Sequence, residues 1–192
     1  MKIYFTAAIS LQDQFGEYYD QIVAALQTLG HEVIHEHITG KTMDDINSIY
    51  LDEKHNEEHY KFIEKQIAEC DVVVAETSFP STLIIGHEVT LALEKEKPVL
   101  ALYMQGKRSV LLYGKQSEKL LLSEYSGSDI FSVVKWGIEY LAANVIDTRF
   151  NMMMSSEMSA FLDTISRKDK IPKSVYVRNL IKKQMDLVKH AD

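Results

Sequence analysis

Residues 71–103 constrain the fold of this chain more than any other stretch. Their sequence, DVVVAETSFPSTLIIGHEVTLALEKEKPVLALY, holds two apolar runs separated by a segment with helical spacing. The unbroken runs at 72–75 and 99–103 are typical of parallel strands that are buried on both faces. Val89, Ala92 and Leu93 recur at helical spacing, and Pro98 lies just past the expected end of that helix. The stretch therefore predicts a strand, a helix and a second strand.

Glu88 is the residue of this stretch with the clearest chemical potential. It lies on the predicted helix, just beyond the carboxyl end of the preceding strand. In open α/β sheets this is the edge at which ligands bind. Two interpretations stay open at this point: Glu88 is a solvated side chain on the helix surface, or it is a carboxylate that faces a ligand.

Apolar segments on both sides extend the same pattern. Residues 3–5 form a first predicted strand, residues 32–36 a second and residues 120–122 a fifth. Helical spacing lies between the strands, carried by Tyr18, Ile22, Val23, Leu26 and Leu29, by Tyr60, Ile63, Ile67 and Cys70, and at the end by Ile130, Val133, Val134, Ile138 and Leu141. Five strands with helices between them predict an α/β fold, a flavodoxin/Rossmann-like doubly wound sheet of five parallel strands.

The last part of the chain has a different character. Residues 148–155, TRFNMMMS, alternate as a strand does, and two short amphipathic helices are predicted after it, with caps at Ser155 or Ser156 and at Ser174. We therefore expect two domains, 1–145 and 146–192, the second a small strand-helix-helix module. A unit of this size cannot bury a sufficient core alone, so we expect it to need a partner.

Charge and cysteine content limit the classes of function. The 192 residues carry a net charge of −7, which argues against wholesale nucleic-acid binding. Residues 147–192, however, hold nine Lys and Arg against six Asp and Glu, a net +3 that leaves −10 for the first 146. A single cysteine and the lack of a leader or membrane-spanning run favour a cytoplasmic protein without membrane association.

Cofactor and metal motifs find little support. No GxGxxG or Walker pattern is present, so we expect no nucleotide cofactor. The segment HNEEH places His55 and His59 four residues apart, a spacing at which two imidazoles on a helix can share zinc. A third ligand is not evident, and a solvated helix start is the preferred interpretation. A zinc hydrolase is retained only as a hypothesis, and we expect no bound metal.

Residues 1–143 resemble the nucleoside 2-deoxyribosyltransferase superfamily, most closely its branch of 2'-deoxynucleoside 5'-monophosphate N-glycosidases. The segments that carry the resemblance are KIYFTAAIS, CDVVVAETSFPSTLIIGHEVTLAL and KPVLALY. In that family a glutamate on the helix attacks the anomeric carbon of the sugar, which implies that Glu88 is the nucleophile. The resemblance also implies that Tyr4 orients this glutamate; a tyrosine that only fills the core is the other interpretation.

The same resemblance implies a set of substrate contacts. Ser81 and Ser109 match serines that contact phosphate, the latter across a dimer interface, so a homodimer or higher oligomer is expected. The remaining expected contacts to a nucleoside or nucleotide are Thr6, Ala8, Ile9, Gly86 and His87.

The sequence departs from this family around Gly86 and His87, where one glycine of a pair is missing, one residue is inserted and His87 replaces an aromatic residue or Met, and at two further places. Ile63 stands where the family carries an aspartate that assists the leaving base; Glu64 is adjacent but about 100° away around the helix, and Asp52 or Glu53 are alternatives from the preceding loop. After the first strand the family reads S-I-R-G-G, whereas residues 8–12 read AISLQ, without the arginine and the two glycines that hold phosphate. A different ligand or a slower reaction is therefore open.

Residues 147–186 resemble a second family, the ribbon-helix-helix modules. These dimerise through a two-stranded ribbon whose outward side chains enter the DNA major groove. The resemblance implies Arg149, Asn151 and Met153 as the outward residues, and Arg and Asn are plausible base readers. A ribbon used only for oligomerisation is the alternative interpretation.

Two hypotheses for function follow. The first is an enzyme, an N-glycosidase or deoxyribosyltransferase acting on a (deoxy)nucleoside or its 5'-monophosphate through Glu88. The second is a transcriptional regulator in which a weakly active or inactive nucleotide-sensing domain is joined to a DNA-binding ribbon-helix-helix module.

Overall fold

The computed structural model describes residues 1–42, 44, 53–109, 112, 114, 117–143, 152–169 and 173–189. The chain divides into two compact units, Met1–Val145 and Ile146–Asp192. Within the described residues, no helix has the length and apolar character needed to cross a membrane.

The first unit is built on one sheet of five parallel strands. The strands are β1 (Lys2–Thr6), β2 (Glu32–Ile34), β3 (Val72–Glu76), β4 (Val99–Met104) and β5 (Leu120–Tyr125). Their order in the sheet is β2-β1-β3-β4-β5, with every neighbouring pair parallel. This is the flavodoxin-like order, so the predicted fold class is confirmed. The order reverses beside β1 and β3, and that is the point at which such sheets bind ligands.

Helices cover both faces of the sheet. They are α1 (Gln12–Thr28), preceded by a 3-10 turn at Ile9–Leu11, then α2 (Glu53–Glu69), α3 (Leu83–Glu94) and α4 (Ile130–Ala143). Side chains of α1 and α4 pack with one half of the core, and side chains of α2 and α3 pack with the other half. The unit therefore has three layers, helix, sheet and helix.

Alternation along β1 decides which strand side chains meet which helices. Ile3 and Phe5 point toward α1 and α4, whereas Tyr4 lies in the core half formed with α2 and α3. Since successive strand residues point to opposite faces, Thr6 shares the face of Tyr4. The end of β1 thus directs two hydroxyl-bearing side chains, Tyr4 and Thr6, toward α3.

Some details differ from the sequence prediction. The second strand was predicted to end at residue 36 but ends at Ile34, because the carbonyl of His35 accepts hydrogen bonds from the amides of Ile38 (2.8 Å) and Thr39 (3.0 Å) and so begins a turn. On α1 the deepest side chains include Phe15 and Tyr19, which the predicted apolar stripe did not contain.

The second unit contains two helices, α5 (Ser156–Asp169) and α6 (Lys173–Lys189). Ser155 caps α5, as predicted: its Oγ accepts a hydrogen bond from the amide of Met158 at 3.2 Å. The rings of Phe161 and Tyr176 meet edge to face, with centroids 6.2 Å apart, so the two helices pack on each other. Residues 152–155 form no strand within the single chain; a ribbon strand takes its hydrogen bonds from a second chain, so the strand expected before α5 stays a prediction. Residues 148–151 lie outside the described part of the chain.

Candidate active site

Glu88 faces the interior of the molecule, and the interpretation of this residue as a solvated side chain is wrong. The buried residues of α3 include Ile85, Glu88, Val89 and Ala92, which form one stripe at helical spacing. The helix is fixed at its start by Thr82, whose side chain accepts a hydrogen bond from the amide of Ile85. The stripe that packs α3 on the sheet therefore carries the carboxylate inward, where only 3% of its surface is exposed.

Tyr4 and Glu88 form a buried hydrogen bond between the sheet and α3. Tyr4 Oη donates to Glu88 Oε2 at a distance of 3.0 Å. The two residues are 84 positions apart in sequence and are joined here because β1 and α3 share one face of the sheet. A hydroxyl donor of this kind favours the ionised carboxylate and fixes its orientation.

The environment of Glu88 is poised between two protonation states. Burial raises the pKa of Glu88 to about 7, while the nearby hydroxyl groups of Thr6 and Tyr4 oppose that rise. Burial also raises the pKa of Tyr4 far above its ordinary value, with the charge of Glu88 as a second cause. Tyr4 therefore stays a proton donor, and Glu88 is the member of this pair that titrates near neutral pH.

Thr6 completes this group. It is fully buried at the end of β1, opposite Ala75 of β3. Its hydroxyl is close enough to act on the pKa values of both Tyr4 and Glu88, yet Thr6 Oγ1 has no hydrogen bond of good geometry within the described residues. Thr6 therefore carries a buried hydroxyl donor that no described group uses.

His37 is a site residue that the sequence analysis missed. Its ring stacks on Tyr4, with centroids 4.8 Å apart and planes 15° apart, and Phe62 meets it edge-on. Burial lowers the pKa of His37 to about 4, with the nearby His59 as a second cause, so the imidazole is neutral. Both of its ring nitrogens are buried without a partner among the described residues. The tandem Glu-His after the second strand was the available signal, but the sequence did not indicate that it would lie beside Tyr4.

The other expected substrate contacts lie along the same edge of the sheet. Ala8 and Ile9 follow β1, Ser81 precedes α3, and Gly86 lies on α3 with open space where a side chain would stand. His87 is exposed, with its ring 5.9 Å from that of Tyr60 on α2.

The loops that follow β3 and β4 meet beside this edge. The amide of Phe79 donates to the carbonyl of Lys107 at 2.6 Å, which ties the segment before Ser81 to the segment before Ser109. Ser109 itself is half-buried. Its expected role across a dimer interface stays a prediction.

The acid expected on α2 is replaced by apolar packing. Ile63 is buried in the core half that contains Tyr4. Glu64 forms an ion pair with Lys95 at 3.2 Å, so that carboxylate is engaged away from Glu88. Asp52 lies outside the described residues, and Glu53 is the first residue of α2.

The described residues show neither a zinc site at His55 and His59 nor the placement of the expected DNA contacts Arg149 and Asn151. No group of three His, Cys, Asp or Glu side chains that could hold a metal ion is present among the described residues, so His55 and His59 are not joined by a third ligand there. Arg149 and Asn151 lie outside the described part of the chain, and Met153 is fully exposed.

Sequence similarity to three named proteins assigns the chain to a family. A protein of Nematostella vectensis is 34% identical over 142 residues, 67% of this chain and 88% of the relative. One of Syntrophotalea carbinolica is 35% identical over 114 residues (57% and 72%), and one of Methanococcoides burtonii is 30% identical over 115 residues (59% and 90%). All three carry the name 2'-deoxynucleoside 5'-phosphate N-hydrolase 1 as a provisional assignment. The chain belongs to this N-hydrolase family.

A solved structure has a fold similar to that of this N-hydrolase family member. The CMP N-glycosidase of Clostridium botulinum matches with a TM-score of 0.50 at 15% identity, over 73% of this chain and all of that one. Identity at this level supports the α/β fold alone. No model of a known protein family matches the sequence.

Proposed function

We propose that the first unit cleaves the N-glycosidic bond of a 2'-deoxynucleoside 5'-monophosphate or the corresponding nucleoside, with Glu88 as nucleophile. The observation that carries the proposal is the buried hydrogen bond from Tyr4 Oη to Glu88 Oε2. Membership in a family whose relatives are named as nucleotide N-hydrolases supports the class of reaction.

The first chemical step forms a glycosyl ester. Glu88 Oε attacks the anomeric carbon, C1' of the sugar, while the bond from C1' to the base nitrogen breaks and its electron pair leaves with the base, which takes up a proton from solvent. Tyr4 holds the attacking carboxylate in place by its hydrogen bond.

The second step releases the sugar. Water attacks C1', the bond from C1' to Glu88 breaks, the electron pair returns to the carboxylate, and the proton from water passes to solvent. Transfer to another base differs only in the group that attacks C1'. Both reactions require the same nucleophile, so hydrolysis and transfer are two outcomes of one site.

His37 is the group best suited to meet the leaving base. It lies beside Tyr4 with a donor and an acceptor nitrogen that lack partners within the described residues. A neutral imidazole donates one hydrogen bond and accepts another, and a nucleobase edge offers the complementary groups. In this chain Ile63 cannot donate a proton, so hydrogen bonding by His37 is proposed to stabilise the departing base.

The test is release of free base, followed by chromatography across a panel of deoxynucleosides, nucleosides and their 5'-monophosphates. Wild type is expected to release base from at least one member, and Glu88→Gln is expected to be inactive. Glu94→Gln is the matched control, since Glu94 lies on the same helix but is exposed; it should retain wild-type activity. Equal inactivity of all three proteins on the whole panel contradicts the proposal.

For the second unit we propose a role in self-association. Two observations support it: the packed pair α5 and α6, and the exposed apolar side chains that these helices carry, among them Met158, Phe161, Leu180, Ile181 and Met185. DNA binding by a ribbon of two chains is the alternative, favoured by the net positive charge of this part of the sequence. Light scattering of the full chain tests association, and a mobility shift on its own promoter at several salt concentrations tests DNA binding. A monomer that binds no DNA at low salt contradicts both.

A further inference from the structure

We propose that Thr6 is a positioning residue for Glu88: its hydroxyl donates to the ionised Glu88 carboxylate, and so makes that carboxylate a better leaving group when the glycosyl ester is hydrolysed. This inference rests on the proposed function above, but its central measurement does not need enzymatic activity.

The placement of Thr6 is the first support. Thr6 and Tyr4 lie two residues apart on β1 and therefore on the same face of the sheet, the face covered by α3. Both side chains are fully buried, as is nearly all of Glu88. The carboxylate thus stands opposite two hydroxyl groups that come from one strand.

The unused donor of Thr6 is the second support. Within the described residues, Thr6 Oγ1 makes no hydrogen bond of good geometry although it is fully buried. Buried hydroxyl groups nearly always find partners, so an exception calls for an explanation. The nearby acceptor is the Glu88 carboxylate, on whose ionisation Thr6 already acts.

The chemistry explains why a second donor has value here. A hydrogen bond to a carboxylate is stronger than one to the neutral ester that replaces it in the intermediate. A donor to Glu88 therefore favours the step in which the bond from C1' to Glu88 breaks and the electron pair returns to the carboxylate. It also keeps more of the carboxylate ionised in the free enzyme, against the effect of burial.

Other titratable groups lie near this carboxylate. Burial raises the pKa of Cys70, just after α2, to about 11, and lowers the pKa of His37 to about 4. Burial also lowers the pKa of His59 on α2, and His87 is the exposed neighbour of Glu88 on α3. On this face β3 and β4 contribute Val73, Ala75 and Val99 to the core. The titration is therefore followed on the carboxyl signal of Glu88 itself.

The experiment is an NMR titration of the glutamate side-chain carboxyl carbon, with the Glu88 signal assigned by its loss in Glu88→Gln. Thr6→Val keeps the shape of the side chain and removes the hydroxyl, so it should raise the pKa of Glu88 by roughly one unit. Thr6→Ser keeps the hydroxyl and should restore the wild-type value. Thr77→Val is the matched control, since Thr77 is also buried but its hydroxyl already donates to the carbonyl of Leu102 at 3.0 Å; it should leave the pKa of Glu88 unchanged.

In an active enzyme the same change appears in the pH dependence of kcat/KM, which reports the free enzyme. Thr6→Val should lower kcat/KM by about tenfold at pH 6 and by less than about twofold at pH 9.

An unchanged titration of Glu88 in Thr6→Val overturns the inference. Should that variant not fold, Thr6→Cys, with a weaker donor, decides the same question: a raised pKa supports the inference and an unchanged one overturns it. A wild-type protein without base release refutes the proposed function, while the titration still tests Thr6.

Discussion

Two buried glutamates lie at the same edge of the sheet, on opposite faces, and they accept different numbers of hydrogen bonds. Glu76, the last residue of β3, receives three hydrogen bonds on Oε1: from the amide and the hydroxyl of Ser78, and from Tyr125 Oη at 3.0 Å. Ser78 Oγ in turn accepts a hydrogen bond from the amide of Met104 at 2.8 Å. Glu88 has one donor of good geometry, Tyr4.

The difference separates a carboxylate engaged in holding strand ends together from one that suits the proposed role of nucleophile. Three donors on one oxygen fix Glu76 and join the ends of β3, β4 and β5. A nucleophile needs lone pairs that are not already engaged, and Glu88 keeps them. Burial raises the pKa of both glutamates. Burial alone therefore does not tell the two roles apart, whereas the number of donors does.

The largest expected effect is on catalysis. Glu88→Gln should reduce base release by about 10³-fold or more, because an amide is not a nucleophile. Glu76→Gln should retain base release within about tenfold when measured per folded molecule, because its contacts lie on the other face of the sheet. Chromatography of product and circular dichroism of each variant give the two quantities. Comparable losses of activity in both variants would remove the distinction between the two glutamates.

The free energy of unfolding should depend more on Glu76 than on Glu88, the reverse of the order expected for activity. Glu76→Ala is expected to lower the free energy of unfolding by about 2–3 kcal/mol, since the donors of Ser78 and Tyr125 are left buried without an acceptor. Urea denaturation at pH 7 measures this. A Glu76→Ala protein as stable as wild type would show that these contacts do not hold the fold.

Stability as a function of pH distinguishes Glu88. Its pKa is raised in the folded state to about 7, so between the unfolded value near 4.5 and pH 7 the folded protein binds the extra proton. The stability that Glu88 contributes is thus fully present below about pH 4.5 and falls as the pH rises through 7, by up to about 3 kcal/mol. Compared with wild type, Glu88→Gln should gain stability at pH 8 relative to pH 4. The prediction is contradicted if the free energy of unfolding changes by the same amount between pH 4 and pH 8 in the two proteins, as measured by urea denaturation.

Loss of one donor gives smaller effects. Tyr4→Phe should lower kcat by about 10- to 100-fold, because Glu88 loses the bond that orients it. Tyr125→Phe removes one of three donors to Glu76 and should cost about 1 kcal/mol of unfolding free energy, with activity unchanged. Steady-state kinetics and urea denaturation of both variants check this pair, and a Tyr125→Phe enzyme as slow as Tyr4→Phe would contradict it.

The sequence predicted the parts of this molecule that depend on local pattern. Unbroken apolar runs and helical spacing were sufficient to predict β3, α3 and β4. The position of Glu88 beyond β3, together with the family resemblance of this segment, singled out that residue. The contact of His37 with Tyr4 could not be predicted, since it depends on β2 and β1 lying side by side and on the turn at His35. The unpartnered hydroxyl group of Thr6 could not be predicted either, because a hydrogen bond that is not formed leaves no pattern in the sequence.

The helical register of α3 is also where sequence reasoning left two interpretations open. Position on a helix does not by itself say which side faces the sheet, and a glutamate is usually solvated. The burial of Ile85 and Val89 on the same stripe decided it. In the second unit the strand expected at residues 148–155 stays a prediction, because its pairing requires another chain.

The bond between Tyr4 and Glu88 joins a strand to a helix that covers it, so it depends on how far α3 slides along the sheet. The far end of α3 is tied to α2 by Lys95 and Glu64, remote from any sugar. A small slip of the helix would part hydroxyl from carboxylate while leaving every strand intact. With Glu88 as the proposed nucleophile, we expect activity to depend on the alignment of α3, and we expect substitutions of Lys95 or Glu64 to slow base release without unfolding the protein.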